Sequence, residues 1–236
     1  MHPDHRQVIA IDGPGAAGKS TVAREIARRT GALLFDTGAL YRAVTLAARR
    51  AGIPGSDVED LTRLTRQLDI TIRPPSIADG RQVDVLLDGD DVTWTIRTPE
   101  IDASVSEVSA HSSVRQELLA TQRQIADGAR VVMVGRDIGT IVIPGAGLKV
   151  YLDASTPERA RRRLEELHGR GIDATYDQVL ADLQARDAYD SSRETAPLAA
   201  ASDAIVVNTD GRTVDDIVDE IEQLALSNWV TLGVTA

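Results

Sequence analysis

The chain has 236 residues, a formal net charge of −10 and no cysteine. Its length is sufficient to bury a full hydrophobic core in one compact α/β domain, and its acidic balance argues against a nucleic-acid groove or an anionic membrane surface as the main partner, because both carry negative charge themselves. The missing cysteine excludes disulfides, thiol catalysis and thiolate zinc sites.

Short apolar runs alternate with amphipathic helical patterns along most of the chain. This alternation is typical of βαβ units whose parallel sheet is buried on both faces. The strands predicted for the sheet are Val8 to Ile11, Leu33 to Phe35, Val131 to Val134, Leu148 to Leu152 and Ala204 to Val207. The predicted helices are Ser20 to Arg29, Ala39 to Ala51, Val114 to Ala126, an Arg-dense helix to Leu167 with Thr156 as N-cap and Pro157 first, Tyr176 to Tyr189, and Val214 to Leu224.

The first predicted strand leads directly into a glycine-rich loop. The loop consists of Gly13, Pro14, Gly15, Ala16, Ala17, Gly18, Lys19 and Ser20, which fit the pattern G-x-x-x-x-G-K-[ST], and Thr21 follows. Small residues in such a loop let successive backbone N–H groups surround a phosphate, while the next helix directs its positive end at the same oxygens. We expect Lys19 to reach the β- and γ-phosphates and the Ser20 hydroxyl to contact Mg²⁺. The chain is therefore predicted to use a nucleoside triphosphate.

Between about Asp69 and Arg97 the pattern changes from helical to alternating. The apolar positions of this alternation are Ile70 and Ile72, then Val83, Val85 and Leu87, and turn signals occur at Pro74-Pro75, Asp79-Gly80 and Asp88-Gly89. Period-two alternation with such turns indicates strands that have one buried face. A small antiparallel insert is therefore predicted here.

Arginines gather where a phosphate-loop architecture brings strand ends and covering helices together. Arg136 and Asp137 follow the third predicted strand, at the sheet edge where ligands bind in open α/β folds, although the same pair also fits a structural ion pair. Arg186, Asp190 and Arg193 are spaced four and three apart, so they share a face if their helix continues. The arginines of the stretch 159–163 fit either a phosphate-binding surface or a solvated helix face that pairs with carboxylates.

Several separate motifs, in the same order, resemble those of the bacterial cytidylate kinases. They are Ile9 to Pro14 with the phosphate loop, Asp36 to Arg42, Ile96 to Thr98, Gly135 to Thr140, and Arg186-Asp187 through Arg193 to Leu198. This resemblance covers nearly the whole chain. It implies an α/β P-loop kinase three-layer fold with a five-stranded parallel sheet, a small antiparallel insert in the monophosphate-binding lobe, and a helical lid. It also implies a single kinase domain whose core is 7–36, 128–155 and 200–226, whose monophosphate-binding lobe is 37–127, and whose lid is 156–195.

The resemblance further implies direct in-line transfer of the γ-phosphate of ATP to CMP and dCMP with Mg²⁺. The residues that it implies as catalytic are Lys19, Arg136 and Arg193. Thr37, Ser106, Arg115 and Asp137 would surround the cytosine, Arg42 and Arg136 would hold the acceptor phosphate, and Arg186 and Asp190 would contact the ribose hydroxyls. Ser20 is the expected metal ligand, and Asp36 is a further candidate, either for water-mediated contact with Mg²⁺ or for orienting loop residues. Many relatives carry Ser where this chain has Thr37, which retains the hydroxyl.

Two other functions stay open on the sequence alone. One is a P-loop kinase for another small molecule, such as adenylate, shikimate or a sugar, and the other is an ATP-dependent regulatory or binding protein. A GTPase is disfavoured because the base-reading Asn/Thr-Lys-x-Asp motif is missing; the nearest string, Asn208-Thr209-Asp210, lacks the Lys.

The expected partners are small-molecule nucleotides, with neither nucleic acid nor membrane among them. The chain contains no apolar run of about 18 residues, the length that a membrane span requires, and no apolar leader segment follows Met1. We therefore expect a soluble, cytoplasmic protein. The family resemblance suggests a monomer.

Overall fold

The computed structural model describes residues 5–169, 171–192 and 196–231, the last three without their side chains. The chain divides into two compact units. Unit 1 comprises Met1–Ala32 and Gly128–Ala236, and unit 2 comprises Leu33–Asp127.

The strands of the described residues form two sheets. Their bounds are β1 Val8–Asp12, β2 Leu33–Asp36, β3 Ile70–Arg73, β4 Asp84–Leu87, β5 Asp90–Asp91, β6 Val131–Val134, β7 Leu148–Asp153 and β8 Ile205–Asn208. The α-helices are α1 Lys19–Thr30, α2 Gly38–Arg50, α3 Val58–Gln67, α4 Pro99–Ala110, α5 Ser112–Ala126, α6 Thr156–Gly169, α7 Tyr176–Ser191 and α8 Val214–Thr231. A 3₁₀ turn covers Thr95–Arg97, and one π-helical turn covers Ile138–Val142.

The large sheet is parallel and has five strands in the order β2-β6-β1-β7-β8, as the alternation of apolar runs and helices predicts. Its central strand β1 pairs with β6 on one side and β7 on the other, with Ile11 opposite both Val134 and Val150. Every residue of β1 and β6 is buried, because helices cover a parallel sheet on both faces. The carboxyl ends of β1, β6 and β7 therefore lie together at one edge of the sheet. The phosphate loop follows β1 at this edge, and Arg136 follows β6.

The small sheet lies in unit 2 and confirms the predicted antiparallel insert. Strands β3 and β4 pair with Ile70 opposite Leu87 and Ile72 opposite Val85, so their apolar side chains share one face. That face packs in a hydrophobic cluster with alanines of α2 and with Leu46. On the polar side, the Arg81 guanidinium bonds to the carboxylates of Asp79, Asp84 and Asp91, which stabilises the turn between β3 and β4.

Several helices differ from the pattern-based prediction. Helices α3 and α4 lie where no element is predicted. The N-cap of α3 is Asp57, whose carboxylate accepts the Asp60 N–H, and α4 begins at Pro99. The prediction of Thr156 as an N-cap is wrong, because α6 already includes that residue. Helix α8 runs seven residues beyond the predicted end at Leu224, to Thr231. Within the described part of the chain, no helix has both the length and the apolar character needed to cross a membrane.

Candidate active site

The phosphate loop joins β1 to α1 in a conformation that only glycine permits at its start. Gly13 has φ +143°, and a Cβ at this position would lie 2.1 Å from the carbonyl oxygen of Leu152 on β7. Gly18 has φ +90° and caps the start of α1, where the N–H groups of Thr21 and Val22 bond back to its carbonyl. The loop is therefore fixed against the edge of the sheet, and the N-terminus of α1 points into it.

The two polar residues that end the loop differ in their surroundings. The Lys19 ammonium donates to the carbonyl oxygen of Pro14 at 2.6 Å, so it lies across the loop. Ser20 and Thr21 are exposed on the first turn of α1. Mg²⁺ usually keeps several waters and binds through one or two protein oxygens together with substrate phosphates, and an exposed hydroxyl at Ser20 fits that donor set. Among residues 5–169, 171–192 and 196–231, no group of three or more His, Cys, Asp or Glu side chains is placed to hold a metal ion.

Two arginines of α6 connect that helix to the phosphate loop. Arg159 is only 4% exposed, and its guanidinium donates to the carbonyl oxygens of Gly15 at 3.2 Å and Ala154 at 3.0 Å and to the carboxylate of Asp187 on α7 at 2.6 Å. Arg162 donates to the hydroxyl and carbonyl oxygens of Thr209, at 2.9 and 2.7 Å, and one of its guanidinium nitrogens is 3.8 Å from the position that a Cβ on Gly18 would occupy. Both side chains place positive charge beside the loop, and Arg159 ties the loop to α7.

The other arginines of this helix face solvent. Arg161 pairs with Glu158 and Glu165, and Arg163 pairs with Glu166, all on the same helix. The pKa of Glu158 is lowered to about 2, chiefly because Arg161 and then Arg162 donate hydrogen bonds to its carboxylate. The solvated-face interpretation is therefore right for Arg161 and Arg163, whereas Arg159 and Arg162 contact the phosphate-loop region.

Arg136 lies next to the phosphate loop and forms an ion pair with Asp190 of α7. One of its guanidinium nitrogens is 3.9 Å from the position that a Cβ on Gly15 would occupy. Asp190 is 1% exposed, and its carboxylate also lies 4.0 Å from the Arg186 guanidinium. Two predicted site arginines therefore converge on one buried carboxylate beside the phosphate loop, an arrangement suited to binding anions.

A second buried carboxylate, Asp12, ends β1 immediately before Gly13. Its two oxygens accept the backbone N–H groups of Ile138 and Gly139, each at 2.8 Å. Burial raises the pKa of Asp12 from 3.8 to about 6, against the lowering effect of those two N–H groups and of Lys19. Nearby Asp137, itself buried, raises the pKa further by repulsion.

Unit 2 carries the remaining predicted site residues, and its first group lies at the start of α2. One Asp36 carboxylate oxygen accepts the Gly38 N–H at 2.9 Å, which fixes the turn from β2 into the helix. Thr37 is buried at the N-cap position of α2. One turn later, the Arg42 guanidinium donates twice to Asp102 of α4, at 2.8 and 3.2 Å.

Arg115 and Ser106 occupy the facing part of α4 and α5. The Arg115 guanidinium lies 5.2 Å from the centre of the Tyr41 ring and donates to the Ser109 carbonyl oxygen at 3.0 Å. The ring and the carbonyl orient the planar guanidinium, which leaves it pre-organised for a polar ligand. Ser106 is half-buried one helical turn before Ala110.

The structure groups the predicted residues by unit. In unit 1 Lys19 lies across the phosphate loop, Arg136 lies beside Gly15, and Arg136 and Arg186 both face Asp190. In unit 2 Thr37 is the N-cap residue of α2, Arg42 lies on that helix, and Arg115 lies beside Tyr41. Arg193 lies outside the described residues. The pattern-based analysis assigns no role to Asp12 or Thr209, and it does not separate Arg159 from the neighbouring arginines; only the position of Asp12 directly before Gly13 offered a signal.

Comparison with known proteins gives a consistent result. The family model described as Cytidylate kinase matches residues 9–227. The chain is 51% identical over 207 residues to a cytidylate kinase of Chloroflexus aggregans, covering 88% of each chain, and 46% identical over 213 residues to one of Herpetosiphon aurantiacus, covering 90% of this chain and 91% of the relative. A solved structure of an uncharacterised protein from Eubacterium ventriosum shares the fold, with a TM-score of 0.50 at 13% identity over 93% of this chain and 98% of the other.

Proposed function

The chain belongs to the cytidylate kinase family and phosphorylates CMP with ATP, and we propose how its own residues carry out this transfer. The observation that carries the proposal is the position of Arg136. Its guanidinium lies beside Gly15 of the phosphate loop, so an arginine that binds the acceptor phosphate stands next to the loop that binds the donor phosphates.

The loop from Gly13 to Ser20, together with Thr21, binds ATP, the phosphate donor. Its backbone N–H groups and the N-terminus of α1 bind the β-phosphate of ATP, and Lys19 moves from the Pro14 carbonyl to the β- and γ-phosphates. Ser20 supplies a hydroxyl ligand to Mg²⁺, which when bound neutralises charge on the same phosphates. Asp36 is the second residue proposed to serve the Mg²⁺ site. It would contact the metal through water, with the carboxylate oxygen that does not accept the Gly38 N–H.

On the acceptor side, Arg136 and Arg42 are the residues that hold the phosphate of CMP. A phosphate monoester is already anionic near neutral pH, so no side chain needs to remove a proton from it. The barrier comes from bringing two polyanions together and from the charge on the transferring phosphoryl group. Lys19, Arg136 and Arg193 lower it by placing fixed positive charge around that group.

The cytosine is recognised by four hydrogen-bonding side chains, those of Thr37, Ser106, Arg115 and Asp137. Arg115 is oriented for this role by the Tyr41 ring and the Ser109 carbonyl. Arg186 and Asp190 contact the sugar, and dCMP is accepted as well as CMP because the base and the phosphate provide most of the contacts.

Residues 156–195 form the lid in this proposal, and 37–127 form the monophosphate-binding lobe. The support is the bond from Arg159 to Gly15, which joins the lid helices to the phosphate loop. Lid closure excludes water, which would otherwise accept the phosphoryl group. We also propose that the protein works as a cytoplasmic monomer on free nucleotides.

An acceptor panel tests this function. ADP formation from ATP and Mg²⁺ is followed with CMP, dCMP, UMP, AMP, shikimate or no acceptor, using wild type, Asp137→Ala and, as a control, Asp182→Ala, which changes an exposed carboxylate on α7. We expect turnover that favours CMP and dCMP, and loss of that preference or of activity only in Asp137→Ala. The same slow rate with every acceptor would instead indicate a protein that merely hydrolyses ATP.

A further inference from the structure

Asp12 links the end of β1 to the segment that directly follows Arg136 and Asp137. Its side chain is 3% exposed, and each carboxylate oxygen accepts one backbone N–H, from Ile138 and from Gly139, at 2.8 Å. The two ends of this link are more than a hundred residues apart in the sequence. The Asp12 side chain therefore joins the residue before the phosphate loop to the backbone that follows Asp137.

The segment that donates these bonds needs an acceptor outside it for its first backbone N–H groups. Ile138–Val142 forms a single π-helical turn, a rare conformation that is frequent at functional sites. The first N–H groups of a helical turn have no acceptor within it, and Asp137 at the N-cap position makes no side-chain capping bond. The Val142 N–H bonds back to the Asp137 carbonyl. The placement of Asp137 thus depends on this turn, and Asp12 caps the turn from a different strand.

Asp12 itself is held rigidly. It is the last residue of β1, in register with Tyr151 of β7, while the preceding Ile11 faces Val134 of β6. On the β6 side, the Gly135 N–H bonds to the Ile11 carbonyl, and Arg136 and Asp137 lie beyond that bond. Through its carboxylate, Asp12 therefore fixes the backbone of Ile138 and Gly139, which lie beyond the end of β6, to the sheet.

The fit around this carboxylate is close. A Cβ on Gly139 would lie 3.3 Å from the Asp12 oxygen and 3.1 Å from Cδ of Lys149, so glycine allows the backbone to approach. Burial of the charge disfavours the ionised form and raises the pKa of Asp12 to about 6. A buried carboxylate at this position is unfavourable for folding at neutral pH, which points to a role beyond stability.

We propose that Asp12 is a positioning residue for phosphoryl transfer, whose carboxylate holds Arg136 and Asp137 in place for CMP by binding the N–H groups of Ile138 and Gly139. This inference rests on the proposed contacts of Arg136 and Asp137 with CMP. Asp12 touches neither substrate. Asp12 acts on the acceptor side of the site. The phosphate loop does not depend on the Asp12 side chain, because the loop follows β1, which is paired on both sides in the sheet.

The test is a kinetic comparison of wild type, Asp12→Asn and the control Asp216→Asn. The control removes a carboxylate that also accepts a backbone N–H at a helix start, that of Thr213 before α8, but lies on the exposed surface. Asn retains the shape and one acceptor oxygen, so Asp12→Asn loses one of two charge-assisted bonds, and we expect kcat/KM for CMP to fall about 30-fold. KM for ATP should change no more than about threefold, and Asp216→Asn should match wild type.

Two results would overturn the role of Asp12. One is wild-type kinetics for CMP; the other is an equal loss for CMP and ATP together with a lower melting temperature, the pattern of general destabilisation. If Asp12→Asn fails to fold, Gly139→Ala decides, since its Cβ presses on the same carboxylate and should give the same selective loss for CMP. Asp137→Ala measured alongside separates the two proposals: unimpaired CMP turnover there contradicts the proposed base contact, whereas impaired turnover beside a normal Asp12→Asn contradicts only the positioning role.

Discussion

Arg136 and Asp190 form an ion pair whose carboxylate is almost completely buried, on the side of the phosphate loop where Gly15 lies. The same carboxylate lies 4.0 Å from Arg186. One negative charge therefore orients two arginines that would otherwise repel each other. In this arrangement Asp190 sets the direction of Arg136 as well as contributing the sugar contact proposed for it.

Asp190→Asn should impair both stability and activity. The substitution breaks the ion pair with Arg136, and breaking a buried ion pair costs about 3 kcal/mol of unfolding free energy. We also expect kcat/KM for CMP to fall by roughly 100-fold, because Arg136 loses the carboxylate that directs it. Urea denaturation measures the loss of stability, and the assay of ADP formation measures the loss of activity. Asp182→Asn, on the exposed face of α7, is the matched control and should behave as wild type.

Gly13→Ala tests the close contact between the phosphate loop and β7. The added Cβ would lie 2.1 Å from the Leu152 carbonyl oxygen, at a φ of +143° that L-residues rarely adopt. Strain and overpacking should lower the unfolding free energy by about 2–4 kcal/mol and displace the loop, so that ATP binding is lost. Gly145→Ala adds the same methyl where nothing lies within 4 Å. Equal melting temperatures for the two variants would contradict the geometry.

Arg159 is expected to be structurally essential, unlike its neighbour Arg161. Arg159→Met removes the donors to Gly15, Ala154 and Asp187 and leaves the Asp187 carboxylate without its cation. The loss should be about 3–5 kcal/mol of unfolding free energy, with a higher KM for ATP. Arg161→Met breaks only exposed pairs with glutamates and should change stability by less than about 1 kcal/mol. Chemical denaturation of both variants decides whether α6 is anchored through Arg159.

The raised pKa of Asp12 gives stability a characteristic pH dependence. Its folded-state pKa of about 6 exceeds the ordinary 3.8, so between these values the folded state binds more protons than the unfolded state. The favourable contribution of this group is full below pH 3.8 and is lost as pH rises through 6. The difference in unfolding free energy between wild type and Asp12→Asn should therefore fall by about 2 kcal/mol from pH 4 to pH 7. A difference that stays constant across this range would show that Asp12 titrates normally.

The sheet could be predicted because its strands are apolar on both faces and alternate with amphipathic helices. Helices α3 and α4 were harder to recognise, since α3 buries little beyond Leu61 and Thr65 and both helices lie in unit 2 beside the change to an alternating pattern. The turn Ile138–Val142 follows neither helical nor strand periodicity, because its π-helical geometry depends on a carboxylate from residue 12.

The sequence predicted only those parts of the site whose residues are neighbours in the chain. Local motifs identified the phosphate loop and Arg136-Asp137, since their chemistry depends on neighbouring residues. The link from Arg159 to Gly15 and the pair between Arg136 and Asp190 join residues far apart in the chain. No spacing rule distinguishes Arg159 from Arg161, because only burial separates an anchoring arginine from a solvated one.

The most direct test of the account is CMP phosphorylation by Arg136→Met, with ATP binding measured on the same sample. Removing a positive charge that binds the acceptor phosphate and the transferring phosphoryl group should lower kcat/KM for CMP by about 1,000-fold, while the intact phosphate loop still binds ATP. A variant that binds ATP but has lost CMP turnover is the predicted result. CMP turnover at the wild-type rate would contradict the assignment of Arg136 to the acceptor phosphate, and with it the proposed arrangement of the active site.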